Sequence, residues 1–201
     1  MLDLGRLDPY VQWVLQKNGW TPGREFPLAE AHIAEITALG FPAVDYGVRV
    51  LRSLGALRFR EYYPESYRRL VRSWREQGLP PERWPEAAEI REGCQAALTA
   101  LEELGLEAAG YKGATFTFDA LDAARDVEIV LDLDTVRQVV GGPVFPIGTV
   151  EPDGIVFAAA DGGVYVVFDD SIFAAGRCVE EFLRLLLVKG CTPLEIYRVE
   201  A

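Results

Sequence analysis

The chain has 201 residues, of which 50% are hydrophobic and 25% charged, enough for one cored domain with an insertion. No apolar run approaches the roughly 20 residues of a membrane span, and the first ten residues lack the features of a secretory signal. The three cysteines fit no metal spacing. We therefore expect a cytoplasmic protein whose cysteines are reduced and mostly packed in the core.

The formal net charge is −11, and most of it lies in the second half of the chain. Residues 119 to 170 hold eleven acidic and two basic side chains. Phosphate binding needs clustered Lys and Arg, so this distribution argues against nucleic acid as a direct ligand. An acidic field favours a basic protein partner, and the alternative is a surface that only keeps the protein soluble.

The first quarter of the chain predicts three helices and a strand. Asp8 before Pro9 is typical of a helix N-terminus, and Asn18-Gly19 is expected to end that helix. Helical spacing predicts two more helices over 27–39 and 43–54. Alternation predicts a half-exposed strand over 56–61. In the second helix the expected core-facing residues are Leu28, Ala31, Ile36 and Leu39.

A compact loop, Gly19 to Arg24, joins the first two helices. A large aromatic residue in such a loop usually packs, so we expect Trp20 to be anchored in the core. We expect Arg24 to donate hydrogen bonds to loop carbonyls or to a carboxylate.

Residues 62 to 113 differ in character from their surroundings. Two helical segments flank the breaker over 78–81 and predict a helical hairpin inserted into the domain. Four arginines lie on its first helix. We interpret them as a solvated face, partly paired with Glu65 and Glu76, and a contact with the acidic half or with a second copy stays open. They are Arg68, Arg69, Arg72 and Arg75.

A β-meander from Pro143 to Gly176 is the segment around which we expect the fold to form. Its three apolar runs are separated by residues 152–154 (Pro-Asp-Gly) and 161–163 (Asp-Gly-Gly). Glycine accepts a positive φ, and aspartate bonds its own backbone two residues on, so both separators are predicted turns.

Other elements are predicted around this meander. Residues 115–118 predict a short strand, and residues 193–199 a final one. Residues 176–190 predict an amphipathic helix. Residues 126–140 fit either a strand or a helix, and we favour a helix with Asp126 as its N-cap.

Side chains suited to catalysis are few. His32 is the only histidine, which excludes a multi-histidine metal site, and we interpret it as a packed or surface residue. Cys178 precedes the last helix, where a helix N-terminus lowers a thiol pKa, but we favour a packed cysteine. Two carboxylate pairs match no EF-hand spacing: Asp132-x-Asp134 and Asp169-Asp170. We therefore expect no enzyme activity, no cofactor and no metal.

Six motifs occur in a specific order: GWTPGR, LGALRF, TFTFD, PVFPIG, DGGVY and a Leu-rich final helix. This order resembles the SUKH superfamily, third subgroup, whose members are similar to the yeast cell-wall assembly regulator. The resemblance covers about residues 8–61 and 114–190. It implies an α+β fold with a mixed, mostly antiparallel sheet. For bacterial members it implies immunity proteins that bind and neutralise a cognate toxin, often a nuclease.

The matching positions suit turns and core anchors, so we expect them to be structural. They are Gly19, Trp20, Pro22, Gly23, Arg24, Leu57, Pro146, Gly148, Gly163 and Tyr165. Two departures stand out. Where the family has Phe-Gly-Gly-Leu, this chain has Leu54-Gly55-Ala56-Leu57, so that an alanine replaces a turn glycine. The hairpin over 62–113 is absent from the compact family pattern.

We predict one SUKH-like domain over residues 1–201, with the 62–113 insertion within it. Its predicted role is that of an immunity protein that binds a basic toxin through an acidic surface. The alternative is a non-catalytic interaction module or a homodimeric scaffold. We expect a monomer or weak homodimer with no nucleic-acid or membrane contact. The predicted partner-binding residues are Glu151, Asp153, Asp161, Asp169 and Asp170.

Overall fold

A computed structural model describes residue 2 and residues 4–60, 62–129, 132–151 and 153–199. Within these ranges the chain forms eight α-helices and one seven-stranded antiparallel sheet, so the fold is α+β, as predicted. The sheet is open, and its strands lie side by side in chain order. None of the helices in these ranges is long and apolar enough to cross a membrane.

The elements have the following bounds. The strands are β1 Arg58–Phe59, β2 Phe116–Thr117, β3 Val144–Val150, β4 Gly154–Ala159, β5 Val164–Val167, β6 Ser171–Gly176 and β7 Leu194–Arg198. The helices are α1 Pro9–Lys17, α2 Ala29–Ala38, α3 Asp45–Leu54, α4 Pro64–Glu76, α5 Ala88–Glu103, α6 Ala120–Arg125, α7 Leu133–Val140 and α8 Val179–Leu187.

The predicted meander forms strands β3 to β6, and its third apolar run is divided into two strands by a turn at 169–170. The turn at 161–163 forms as predicted. The Asp161 Oδ1 atom accepts a hydrogen bond from the Gly163 N–H at 2.9 Å, and Gly162 has a φ of +99°. In the first turn Asp153, not Gly154, takes the positive φ, at +51°. Gly154 instead begins β4, where a Cβ would lie 2.7 Å from the ring of Phe168.

Helices cover this sheet. Helix α3 packs on β3 and β4, so closely that a Cβ on Gly47 would lie 2.7 Å from the Phe145 Cβ. Helix α8 packs on β6, and the ring of its Phe182 lies 5.0 Å from that of Phe116 on β2. The amphipathic spacing over 176–190 therefore correctly predicted which side of α8 faces the core. Its five predicted core residues are all buried: Val179, Phe182, Leu183, Leu186 and Leu187.

The predicted core face of α2 is wrong. Of the four expected residues only Ile36 is buried, and the exposed fractions of Leu28 and Leu39 are 57% and 49%. Both leucines flank the helix as its caps. The helix meets α3 and α6 along a narrow stripe that contains Ala29 and Ile36, so residues away from that stripe face solvent.

The predicted helix over 126–140 forms in part, since residues 133–140 are α-helical and residues 130–131 lie outside the described residues, but Asp126 is not its N-cap. Asp126 ends α6 and begins a short 3-10 segment over Asp126–Ile129. Helix α7 begins later, where Asp132 Oδ2 accepts a hydrogen bond from the Thr135 N–H at 3.1 Å. It ends at Gly141, whose φ is +86°. Asp132 therefore caps the N-terminus of α7, because Asp126 is already the C-cap of α6.

The helical hairpin over 62–113 consists of α4 and α5, which follow β1 and precede β2 in the chain. The two helices pack against each other. An aromatic group joins α4 to the connection before α5, with the Trp74 ring 6.3 Å from that of Tyr67 and 5.2 Å from that of Trp84. Helix α5 also contacts α1. Buried residues of the hairpin and of the remaining chain belong to one continuous hydrophobic cluster.

Candidate functional site

The antiparallel order of the meander determines which acidic turns lie together. Each strand reverses direction, so the β3–β4 turn and the β5–β6 turn lie at the same end of the sheet. The first turn carries Glu151 and Asp153, and the second carries Asp169 and Asp170. The β4–β5 turn, with Asp161, lies at the opposite end. Four of the five predicted partner-binding residues therefore share one end, and Asp161 is separated from them.

A fifth carboxylate joins these four from outside the meander. Asp126 lines a cavity of about 210 Å³ together with Glu151 and Asp153, and the apolar side of this cavity includes Val150 and Ile155. We name this surface the acidic end. It consists of Asp126, Glu151, Asp153, Asp169 and Asp170. Sequence reasoning did not select Asp126, because only the packing of α6 on β3 brings it here.

Four of the five carboxylates at the acidic end are exposed and have no counter-ion among the described residues. Within the part of the chain that the structure describes, Asp126, Glu151, Asp153 and Asp169 form no ion pair. Asp170 differs, because its Oδ2 lies 3.5 Å from Arg198 Nη1. Its Oδ1 also accepts a hydrogen bond from the Ser171 hydroxyl at 2.7 Å. The acidic end therefore combines several negative charges with little compensation.

Asp161 stabilises its turn and also lines a larger cavity of about 560 Å³ near the end of β7. The charges in this cavity are partly compensated, since Arg177 Nε donates a hydrogen bond to Glu181 Oε1 at 3.1 Å. That interaction lowers the pKa of Glu181. Burial raises the pKa of Tyr165, whose ring also lines the cavity. The charged side chains that line this cavity balance one another, because Asp161 and Glu181 are acidic and Arg177 and Arg184 are basic.

The residues of the loop over 19–24 that carry the resemblance contact the end of α3 and the hydrophobic core. Arg24 donates hydrogen bonds to the carbonyls of Ser53 at 3.0 Å and Gly55 at 2.7 Å, which ties the loop to the end of α3. Trp20 is buried, with an exposed fraction of 7%. Gly19 and Gly23 have φ values of +93° and +78°, in the region that favours glycine. Pro22 between them is exposed.

The residues of the meander that carry the resemblance, Pro146, Gly148, Gly163 and Tyr165, also have structural roles. A Cβ on Gly148 would lie 2.1 Å from the backbone oxygen of Thr117, so glycine allows β2 and β3 to approach. The register of β3 shifts between Pro146 and Gly148. A Cβ on Gly163 would lie 2.9 Å from the Tyr165 ring. Leu57 is buried before β1.

The two side chains considered for catalysis, His32 and Cys178, lie in different surroundings. His32 stacks edge-on against Phe26, with ring centroids 5.1 Å apart, and its buried Nδ1 has no hydrogen-bond partner within the described ranges. Burial raises the pKa of the Cys178 thiol, and Glu180 adds to the effect, so the thiol is not held as a thiolate. Among the described residues, no group of three or more His, Cys, Asp or Glu side chains is placed to hold a metal ion.

The carboxylate pair before α7 has structural contacts. Asp132 caps the helix, and Asp134 Oδ1 lies 3.2 Å from Arg137 Nη1. Of the acidic residues that the sequence singled out, those of the two meander turns therefore remain as a candidate binding site.

No protein-family model, no curated protein and no solved structure matches the chain. The resemblance to the SUKH superfamily therefore stays a prediction, and the functional argument depends on the geometry of the acidic end.

Proposed function

We propose that this protein is a non-catalytic binding protein that engages a basic protein partner through the acidic end. We further propose that this partner is a cognate bacterial toxin, as the resemblance to the SUKH superfamily implies. The observation that carries the proposal is a set of four exposed carboxylates that have no counter-ion within the described ranges: Asp126, Glu151, Asp153 and Asp169.

The arrangement suits a basic surface in two ways. The two acidic turns lie two strand spacings apart, about 10 Å, which is close to the Debye length at about 0.1 M salt, so their fields add. The cavity beside Asp126 has apolar side chains, Val150 and Ile155, beneath its carboxylates. A Lys or Arg side chain fits such a site with its stem on the apolar part and its charge at the carboxylates.

The proposed partner can be tested with the toxin domain of any toxin-like reading frame that neighbours the gene. The variant Glu151→Lys, Asp153→Lys, Asp169→Lys reverses three charges at the acidic end. We expect it to slow association with this domain by about tenfold or more, and to reduce the salt dependence of the rate, because steering by complementary fields is lost. Biolayer interferometry at several salt concentrations measures both effects.

A matched control carries the same change in net charge elsewhere. Glu82, Glu102 and Glu107 are exposed in the insertion, and their change to Lys is expected to leave most of the association rate intact. Asp161→Asn removes the charge at the opposite end while its Oδ1 still accepts the turn hydrogen bond, and it should also bind normally. Equal loss in all three variants, or in none, would contradict the proposal.

A further inference from the structure

A row of arginines on the inserted hairpin has no side-chain partner among the residues that the structure describes. Helix α4 buries Tyr67 and Trp74 on one side. On the exposed side Arg68, Arg72 and Arg75 follow at intervals of four and three residues, which places them along one face of the helix. We name these three residues the basic stripe. In the described part of the chain none of their guanidinium groups forms an ion pair or a hydrogen bond.

Most other described arginines of this acidic protein have an ion pair or a side-chain hydrogen bond, although Arg49, Arg83 and Arg184 have no ion pair among the described residues. The fourth arginine of the helix, Arg69, lies 2.9 Å from Glu65, as the sequence predicted. Elsewhere Arg52 pairs with Glu30, Arg125 with Glu35, Arg137 with Asp134, Arg177 with Glu181 and Arg198 with Glu195. Three neighbouring cations on one helix face, none of them ion-paired among the described residues, are therefore a distinct surface feature.

The basic stripe and the acidic end match in length as well as in charge. Seven residues separate Arg68 from Arg75, a rise of about 10 Å along a helix. The two acidic turns, at 151–153 and 168–170, lie two strand spacings apart, also about 10 Å. One helix can therefore set a cation against each turn at the same time. The described residues of one chain do not make this contact.

We propose that the basic stripe of one copy binds the acidic end of a second copy. Two different surfaces meet in this contact, so the association is head to tail and extends into a ring or an open chain. Exposed ion pairs are individually weak and are screened by salt, so we expect self-association at high protein concentration and low ionic strength. Nucleic acid fits the stripe less well, because three cations stand against a net charge of −11.

This inference does not depend on the toxin partner, although both contacts use the acidic end. Self-association covers the surface that a basic protein would bind, so the two events compete. A variant that lacks the stripe keeps the acidic end and should bind the toxin domain normally. Loss of self-association with retained toxin binding therefore separates the two proposals.

The test uses two neutralised variants of the full chain and sedimentation velocity. One variant is Arg68→Gln, Arg72→Gln, Arg75→Gln, and the other is Glu151→Gln, Asp153→Asn, Asp169→Asn. We expect the wild-type mass to rise above 22.3 kDa with concentration in low salt and to return to it at about 0.5 M salt. Each variant alone should stay monomeric. An equimolar mixture should form a one-to-one dimer, since it contains one intact surface of each kind.

The control variant Lys17→Gln, Arg49→Gln, Lys189→Gln removes three positive charges from other exposed positions and should associate like the wild type. Circular dichroism verifies that each variant is folded. A wild type that stays monomeric in low salt would overturn the proposal. So would a stripe variant that still associates, or a mixture of the two variants that does not. Retention of a short RNA by a monomeric wild type would assign the stripe to nucleic acid instead.

Discussion

Ala56 is the position where replacement by glycine should stabilise the protein. Its φ is +63°, in the left-handed region that an L-residue with a Cβ adopts at a cost of about 1–2 kcal/mol. The position is held there by backbone contacts, because the Ala56 N–H donates to the Phe118 carbonyl at 2.8 Å and the Gly55 carbonyl accepts from Arg24. The resembled family has glycine here, which is consistent with this backbone conformation.

The size of the effect of Ala56→Gly follows from two terms. Relief of the left-handed conformation contributes about 1–2 kcal/mol, and the larger freedom of glycine in the unfolded chain costs about 0.4–1 kcal/mol. The methyl group is exposed, so its loss removes little buried surface. We therefore expect a gain of about 0.5–1 kcal/mol in the free energy of unfolding and a rise of about 1–4 °C in Tm.

Urea unfolding followed by tryptophan fluorescence measures this gain. The control is Ala34→Gly, an exposed alanine inside α2 with ordinary helical geometry, which should lose about 1 kcal/mol. The two substitutions remove the same methyl group and should have opposite signs. If Ala56→Gly destabilises the protein as much as Ala34→Gly does, the inferred backbone strain is absent and the reasoning is refuted.

Three further predictions concern the packing of the sheet and its helices. Gly148→Ala should destabilise the fold by about 1–3 kcal/mol in urea titrations, because its Cβ would lie 2.1 Å from the Thr117 oxygen; a neutral result would contradict that close approach. Tyr46→Phe should cost about 1–3 kcal/mol, since its hydroxyl oxygen accepts the Val179 N–H at 2.6 Å where α8 begins, and an unchanged urea midpoint would refute this. Burial raises the pKa of Tyr46 and that of Tyr111 to about 12, whereas unfolded tyrosines ionise near pH 10. The unfolded state therefore binds fewer protons above about pH 10, so the urea midpoint should be nearly constant between about pH 7 and pH 10 and fall toward pH 12.

Strongly periodic segments were predicted well from the sequence because their burial follows from their own spacing. Helix α8 has a wide apolar side, and any sheet that accepts it must bury the same five residues. The first helix is equally local, since Asp8 Oδ1 accepts the Tyr10 N–H at 2.9 Å. Helix α2 failed as a prediction because its apolar residues do not form one clear side. Which residues it buries depends on α3 and α6, which lie elsewhere in the chain.

The candidate site shows the same division. The acidity of the protein and the concentration of its negative charge in and before the meander can be read from composition alone. The turns at 152–154 and 161–163 were predicted from the same residues, because turn chemistry is a local property. The tertiary structure was needed to show that Asp161 lies at the opposite end of the sheet from the other meander acids, whereas Asp126 lies beside them. Strand order and the packing of α6 bring distant residues together, and no spacing along the chain records those contacts.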